Sequence, residues 1–206
     1  MTPIAPIMIA RTGAANVASV RAMLQRLDME ATVTSDAAAI ATAPAVILPG
    51  VGSFGAAMSE IEPNGIARAI RDRVTWDRPL LAICLGLQLL AESSEESPGV
   101  NGLGVLPTRV TRFPEPLRAP HFGWNMVTSD DSGGLIEPGY AYFANSYRLT
   151  SAPPGWYSAW TDYGGPFVAA IERGNVLACQ FHPELSGPWG QSLIERWLRR
   201  AGVQTC

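Results

Sequence analysis

Lysine is absent from this chain. All 15 basic residues are arginine, set against 18 acidic residues for a formal net charge of -3. The arginines form no basic stripe, so no nucleic-acid-binding surface is expected. Histidine is scarce: His121 and His182 are the only two. Cysteine occurs three times, at Cys84, Cys179 and Cys206. That odd count at unrelated spacings excludes a disulfide framework, and no Cys/His cluster has metal-ligand spacing. No metal and no cofactor is expected. No apolar run approaches the length of a membrane span, and residues 1–6 lack the charged start of a secretory signal. A reduced, cytoplasmic protein is expected.

What is present is apolar and regularly patterned. The 206 residues are 47% hydrophobic and 16% charged, enough for one α/β domain over residues 1–206 with a sizeable core. Residues 4–9 read as a strand, and Val17, Val20, Met23, Leu24 and Leu27 have helical spacing. A short strand at residues 31–34 precedes an alanine-rich helix to about Ala41. Residues 45–48 form a buried strand that ends at Pro49-Gly50-Val51-Gly52. One helix is expected from there to about Val74. From Val105 onward, strand-like runs at residues 124–127, 141–143, 157–160, 167–171 and 176–181 alternate with turn signals. Residues 187–200 form a final amphipathic helix, with Leu193, Ile194, Trp197 and Leu198 inward. The fold class is therefore α/β: an open, mostly parallel central sheet, helices on both faces, and an added antiparallel strand region. Ligands of such sheets bind beyond the carboxyl ends of the strands. The glycine-rich loop after Leu48 and the segment at Cys84 both leave such ends.

Cys84 ends the apolar run Pro79-Leu80-Leu81-Ala82-Ile83 and begins the helical pattern Leu85-Gly86-Leu87-Gln88-Leu89-Leu90. A sharp strand-to-helix turn at a cysteine, with small residues Ala82 and Gly86 two positions either side, reads as a nucleophile elbow. The new helix points its N-terminus at the sulfur, which favours the thiolate. An inert buried cysteine is the competing reading, because free cysteine is among the most buried residue types. Far downstream, Gln180-Phe181-His182-Pro183-Glu184 supplies a base two residues before a carboxylate able to orient it. Together these describe a Cys-His-Glu acyl-transfer site.

The loop Pro49-Gly50-Val51-Gly52-Ser53-Phe54-Gly55 admits two readings. A glycine-rich loop after a strand often cradles phosphate, but this one lacks the Lys-Ser/Thr of a P-loop. As an oxyanion loop it needs glycine so that a peptide can turn its N–H toward a thioester oxygen. Cys179 lies mid-strand and reads as core. His121 reads as packing rather than acid–base chemistry. Glu92, Glu95 and Glu96 read as a solvated helix end.

Ala82-Ile83-Cys84-Leu85-Gly86 together with Phe181-His182-Pro183-Glu184 resembles the class I (triad) glutamine amidotransferases. Residues 49–55, Pro120-His121-Phe122-Gly123-Trp124-Asn125 and Tyr142-Phe143-Ala144-Asn145-Ser146-Tyr147 are similar, within that class, to the glutaminase subunits of imidazole glycerol phosphate synthase. The similarity runs in order from about Ile9 to Gly190. It implies hydrolysis of glutamine, with Cys84 as nucleophile, His182 as base and Glu184 as orienter. It implies an oxyanion hole from the backbone of Val51 and Leu85. It assigns glutamine contacts to Gly50, Gly52, Gln88, Asn145, Ser146 and Tyr147. It also implies a heterodimer with a (β/α)8-barrel cyclase subunit that receives the ammonia, met through Asn16, His121, Trp124, Asn125, Tyr142 and Leu185. Departures occur at Arg11-Thr12-Gly13-Ala14-Ala15-Asn16, where the family has Asp-Tyr-Gly-x-Gly-Asn. Leu185 stands for a usual lysine, Ala82 for glycine and Asn145 for histidine. Another acceptor synthase, or a weakly active regulatory subunit, is the alternative reading.

Overall fold

The computed structural model describes residues 6–13, 17–129 and 133–203. In chain order the first half runs β1 (Ile7–Ala10), α1 (Val17–Arg26), β2 (Ala31–Thr34), α2 (Ala37–Thr42), β3 (Val46–Leu48), α3 (Phe54–Ile61), α4 (Ile66–Thr75), β4 (Leu80–Ile83) and α5 (Leu85–Leu89). The second half runs β5 (Ala91–Ser94), β6 (Leu106–Arg112), β7 (His121–Ser129), β8 (Gly139–Asn145), β9 (Tyr147–Arg148), β10 (Tyr157–Asp162), β11 (Pro166–Arg173) and β12 (Val176–Cys179). A 3-10 turn, Pro183–Leu185, and α6 (Gly187–Arg200) follow. Nine strands form one sheet in the order β2-β1-β3-β4-β12-β11-β10-β7-β8, and β5, β6 and β9 form a second.

The side-chain alternation of the strands decides which helices cover which face. Ile47, Leu81, Ile83, Leu177 and Cys179 point to one side and pack with Val20, Met23 and Leu24 of α1 and Leu193, Ile194, Trp197 and Leu198 of α6. Val46, Leu48, Leu80, Ala82, Val176 and Ala178 point to the other and pack with α2, α3 and α4 through Ile40, Phe54, Met58, Ile61, Ile66 and Ile70. These central strands are buried at every position because both faces are covered.

Three expectations require correction. The helix expected from the glycine loop to Val74 is two helices. They break at Glu62-Pro63-Asn64-Gly65, where Gly65 takes a left-handed φ of 73°. The helix after Cys84 has five residues only, and Glu92 lies on β5 rather than on a helix end. Finally, β12 is antiparallel to β11 but parallel to β4, with Ala178 opposite Ala82 and Cys179 opposite Ile83. That parallel pairing positions the site: the chain leaving β12 emerges beside the chain leaving β4.

Candidate active site

β4 ends in Cys84, whose backbone N–H donates to the Cys179 carbonyl at 2.7 Å and so extends the ladder by one rung. Cys84 then adopts φ 53° and ψ -107°. A side chain with a Cβ rarely occupies positive φ, so the turn is held by its surroundings. Small neighbours make it possible. A Cβ on Gly86 would lie 2.1 Å from the Leu48 carbonyl oxygen, and one on Gly50 would lie 2.6 Å from Leu85 Cβ. The end of β3 and the first turn of α5 therefore touch backbone to backbone, which places the Gly50–Gly52 segment against the elbow. Ala82, in place of a glycine, fits with its methyl group buried among the α3–α4 side of the core.

Leaving β12, Gln180 is fully buried and His182 is 5% exposed. His182 is pinned at both backbone groups. Its N–H donates to the Tyr142 carbonyl at 2.9 Å, and its carbonyl accepts from Ser186 Oγ at 2.6 Å. Pro183 then starts the 3-10 turn that folds Glu184 back, bringing Glu184 Oε1 to 2.8 Å from His182 Nδ1. The other ring nitrogen is left free of Glu184, and His182 and Cys84 line the same pocket. Burial alone pushes the imidazole pKa down, but the hydrogen bonds and charges of Cys84 and Glu184 outweigh it and raise it to about 10. That shift favours the protonated ring, with Glu184 accepting at Nδ1.

A pocket of ≈ 290 Å³ opens over Cys84 and His182. Gly50, Val51, Gly52, Leu85 and Gln88 line one side; Asn145, Ser146 and Tyr147 line another. Cys84, His182, residues 50–52 of the glycine loop and all six residues expected to hold glutamine therefore share one cavity, with Glu184 behind the His182 ring. The amide nitrogen of Gln88 donates to the Tyr147 carbonyl at 3.1 Å and to Gln180 Oε1 at 3.0 Å. Both its donors are spent, so what Gln88 offers a ligand is its acceptor oxygen. Asn145 Nδ2 donates to the same Tyr147 carbonyl at 3.0 Å. Asn145 Oδ1 is buried without a partner among the described residues. Thr12 Oγ1 donates to the Pro49 carbonyl at 3.1 Å, tying the loop after β1 to the glycine loop.

Comparison with known families matches residues 8–201 to glutamine amidotransferase class-I. The chain belongs to that family. Among relatives of this amidotransferase, the imidazole glycerol phosphate synthase subunit HisH of Symbiobacterium thermophilum is 41% identical over 95% of this chain and 94% of its own. The subunit of the same name from Rhodopirellula baltica is 43% identical over 88% and 91%. The imidazole glycerol phosphate synthase hisHF, chloroplastic, of Arabidopsis thaliana is 43% identical over 90% of this chain but only 33% of its own. A solved glutamine amidotransferase structure superposes with a TM-score of 0.77 at 23% identity over 96% and 99% of the two chains, a likeness of fold.

The residues expected at a partner surface separate into two sets. β7 and β8 pair in the register Phe122–Ala144, Trp124–Tyr142 and Met126–Tyr140. Phe122, Trp124, Met126 and Tyr140 are exposed, as is Leu185, and Trp124 meets Tyr142 edge-on at 6.0 Å. His121 and Asn125 do not belong to this face. His121 is buried, with its ring stacked 4.0 Å from that of Tyr163, and burial lowers its pKa. Asn125 donates to the Asp162 carbonyl at 2.5 Å, from β7 to the end of the neighbouring β10. Strand alternation explains the correction: residues 121 and 125 are odd, and 122, 124 and 126 even, so they face opposite ways. Asn16 lies outside the described residues.

Several residues of the amidotransferase site, Ala144 among them, had no role assigned from sequence. Gln180 Nε2 donates to Cys84 Sγ at 3.6 Å. Glu96 lines the pocket and accepts from the Phe54 N–H at 2.7 Å, capping α3. Pro120 and Phe122 also line the pocket. Phe122 stood in the sequence motif at residues 120–125, just ahead of the strand read at residues 124–127, whereas the partners of Gln180 and Glu96 are distant in sequence.

Proposed function

We propose that this amidotransferase is the glutaminase subunit of an imidazole glycerol phosphate synthase of histidine biosynthesis, a heterodimer with a (β/α)8-barrel cyclase in the cytoplasm. The observation that carries this reading is the Cys84–His182–Glu184 line, with a His182–Glu184 distance of 2.8 Å, in a chain 41% identical to a HisH subunit over nearly its full length. No helix among the described residues is long and apolar enough to cross a membrane.

Glutamine enters the cavity with its amino-acid end toward Gln88, Asn145, Ser146 and Tyr147 and its side-chain carboxamide toward Cys84. The Cys84 thiolate attacks the carboxamide carbon, and the oxygen of the tetrahedral intermediate takes the negative charge. Backbone N–H groups of Val51 and Leu85 meet that oxygen; losing one such donor typically costs about 3–4 kcal/mol. As the C–N bond breaks, the His182 imidazolium gives its proton to the leaving nitrogen, releasing ammonia and a thioester. Neutral His182 then takes a proton from water, whose oxygen bonds to the thioester carbon. The C–S bond breaks and glutamate leaves. Glu184 keeps the ring oriented and stabilises its charged form throughout.

The destination of the ammonia rests on the relatives and on the exposed aromatic ladder. Phe122 and Ala144 line the pocket, and the ladder continues outward through Trp124–Tyr142 and Met126–Tyr140. A partner seated on this apolar face closes the pocket. The Arabidopsis relative leaves two-thirds of its own length outside the match, room for a second catalytic unit in one polypeptide.

Glutamine turnover, measured on the chain alone and with the cyclase subunit and its acceptor ligand, tests this reading. The chain alone should be a poor glutaminase, and partner plus ligand should accelerate it. In the complex, Cys84→Ala should abolish glutamine-dependent synthesis while ammonium salts still support it. Full turnover by the chain alone, indifferent to the cyclase, would overturn the partner assignment. Retained glutaminase in Cys84→Ala would overturn the nucleophile.

A further inference from the structure

Gln180 is fully buried, yet both ends of its amide are engaged inside the active site. Its oxygen accepts from Gln88 Nε2 at 3.0 Å, and its nitrogen lies 3.6 Å from Cys84 Sγ. We propose that Gln180 is a further catalytic residue of this glutaminase: its amide N–H holds the Cys84 sulfur in the acceptor state, and Gln88 locks that amide to the backbone at the edge of the glutamine pocket. The proposal rests on the reading of Cys84 as the nucleophile.

The direction of each amide follows from what its neighbours can do. The Tyr147 carbonyl can only accept, so Gln88 must turn its nitrogen toward it. That same nitrogen is the group facing Gln180, so Gln180 must present its oxygen there. The other end of the Gln180 amide, facing sulfur, is therefore its NH2. Cys84 thus has the Gln180 amide N–H on its sulfur and shares its pocket with the His182 ring, whose pKa it helps raise. A thiolate accepts from that N–H, whereas a neutral thiol has its own hydrogen to place. The helix after Cys84 has only five residues, so side-chain donors carry what a longer helix N-terminus would.

The arrangement serves both halves of the reaction. Before attack the Gln180 N–H keeps the sulfur charge in place and aimed into the pocket. In deacylation the water oxygen bonds to the thioester carbon and the C–S electron pair returns to sulfur, where the same N–H receives it. Because Gln88 and Asn145 both donate to the Tyr147 carbonyl, a shift of the pocket wall at Tyr147 is transmitted along one short chain of hydrogen bonds to the nucleophile.

The test uses Gln180→Met, which keeps length without an amide, and Gln180→Glu, which keeps an acceptor for Gln88 but as a carboxylate has no N–H for sulfur. Two quantities are measured: the pH profile of Cys84 alkylation by iodoacetamide in the full chain, mapped by peptide, and kcat and KM for glutamine with the cyclase present. Expected is a rise in the alkylation midpoint of roughly one to two pH units in both variants, the size of one hydrogen bond to a charged group. A kcat at least about tenfold lower should accompany it, with a smaller change in KM. An unmoved midpoint with a raised KM in either folded variant overturns the proposal, since Gln180 would then act only by supporting Gln88. Wild-type chain that keeps full glutaminase activity after complete Cys84 alkylation overturns the nucleophile reading instead, a result readily told apart from the first.

Discussion

His182 and the two buried cysteines show how far environment separates side chains of one type. Cys179 is fully buried beside β4, and burial, with Glu184 and Glu172 nearby, raises its thiol pKa well above the ordinary value. Cys84 is 7% exposed and opens on the pocket. Iodoacetamide should therefore label Cys84 well before Cys179, with glutaminase activity falling in step; peptide mapping that finds Cys179 modified first would contradict the site. His182 makes a second claim, about pH. Its folded pKa is raised from 6.5 to about 10, so it binds its proton more tightly folded than unfolded. The stabilisation is complete below the unfolded value and is lost as pH rises through the folded one. Wild type and His182→Gln should differ most in melting temperature at mildly acidic to neutral pH and converge at the alkaline end. A gap that grows as pH rises would contradict an imidazolium stabilised by Cys84 and Glu184.

At the scale of elements, the site is built by three chain ends that emerge together, from β3, β4 and β12. All three were readable in advance because their signals are contiguous: an apolar strand running into Pro49-Gly50-Val51-Gly52; a strand, a small residue, Cys84, a small residue and a helix; and His182, Pro183 and Glu184 in one turn. The parallel pairing that brings them together was not, since β12 has the same apolar look as the antiparallel strands around it. Nor was the role of Glu96, whose carboxylate caps α3 across 42 residues of sequence. His121 and Asn125 turn away from the exposed ladder because the strand alternates residue by residue, while the resemblance was carried over motif by motif. The elbow's tight packing gives an element-scale prediction. A methyl group at Gly86 would meet the Leu48 carbonyl at 2.1 Å, a backbone atom that cannot swing aside. Gly86→Ala should destabilise the fold by about 1–3 kcal/mol or more and lower kcat by moving Cys84. Urea unfolding with unchanged stability would mean that β3 and α5 are not held in this contact.

At the scale of the whole molecule, the exposed ladder Phe122, Trp124, Met126 and Tyr140 lies on the antiparallel extension of the sheet, while the parallel half carries the nucleophile. Leu185 joins the two, because it follows Glu184 in the 3-10 turn and is 38% exposed. Its relatives, by the family resemblance, usually carry lysine there. A lysine can pair with an acidic group on a partner; leucine can only bury apolar area. Loss of an interfacial ion pair need not weaken binding, because desolvating two charges offsets much of their attraction. Displacement of the backbone beside Glu184 is a separate quantity, since the turn that carries residue 185 also fixes the His182–Glu184 distance of 2.8 Å. Leu185→Lys, titrated against the native cyclase, should therefore change ligand-stimulated glutaminase more than it changes affinity. Coupling between sites is typically about 1–3 kcal/mol, enough to alter stimulation roughly 5- to 150-fold. Stimulation and affinity both unchanged would remove residue 185 from the partner surface. A large loss of affinity with stimulation intact would make Leu185 an apolar anchor with no part in the signal.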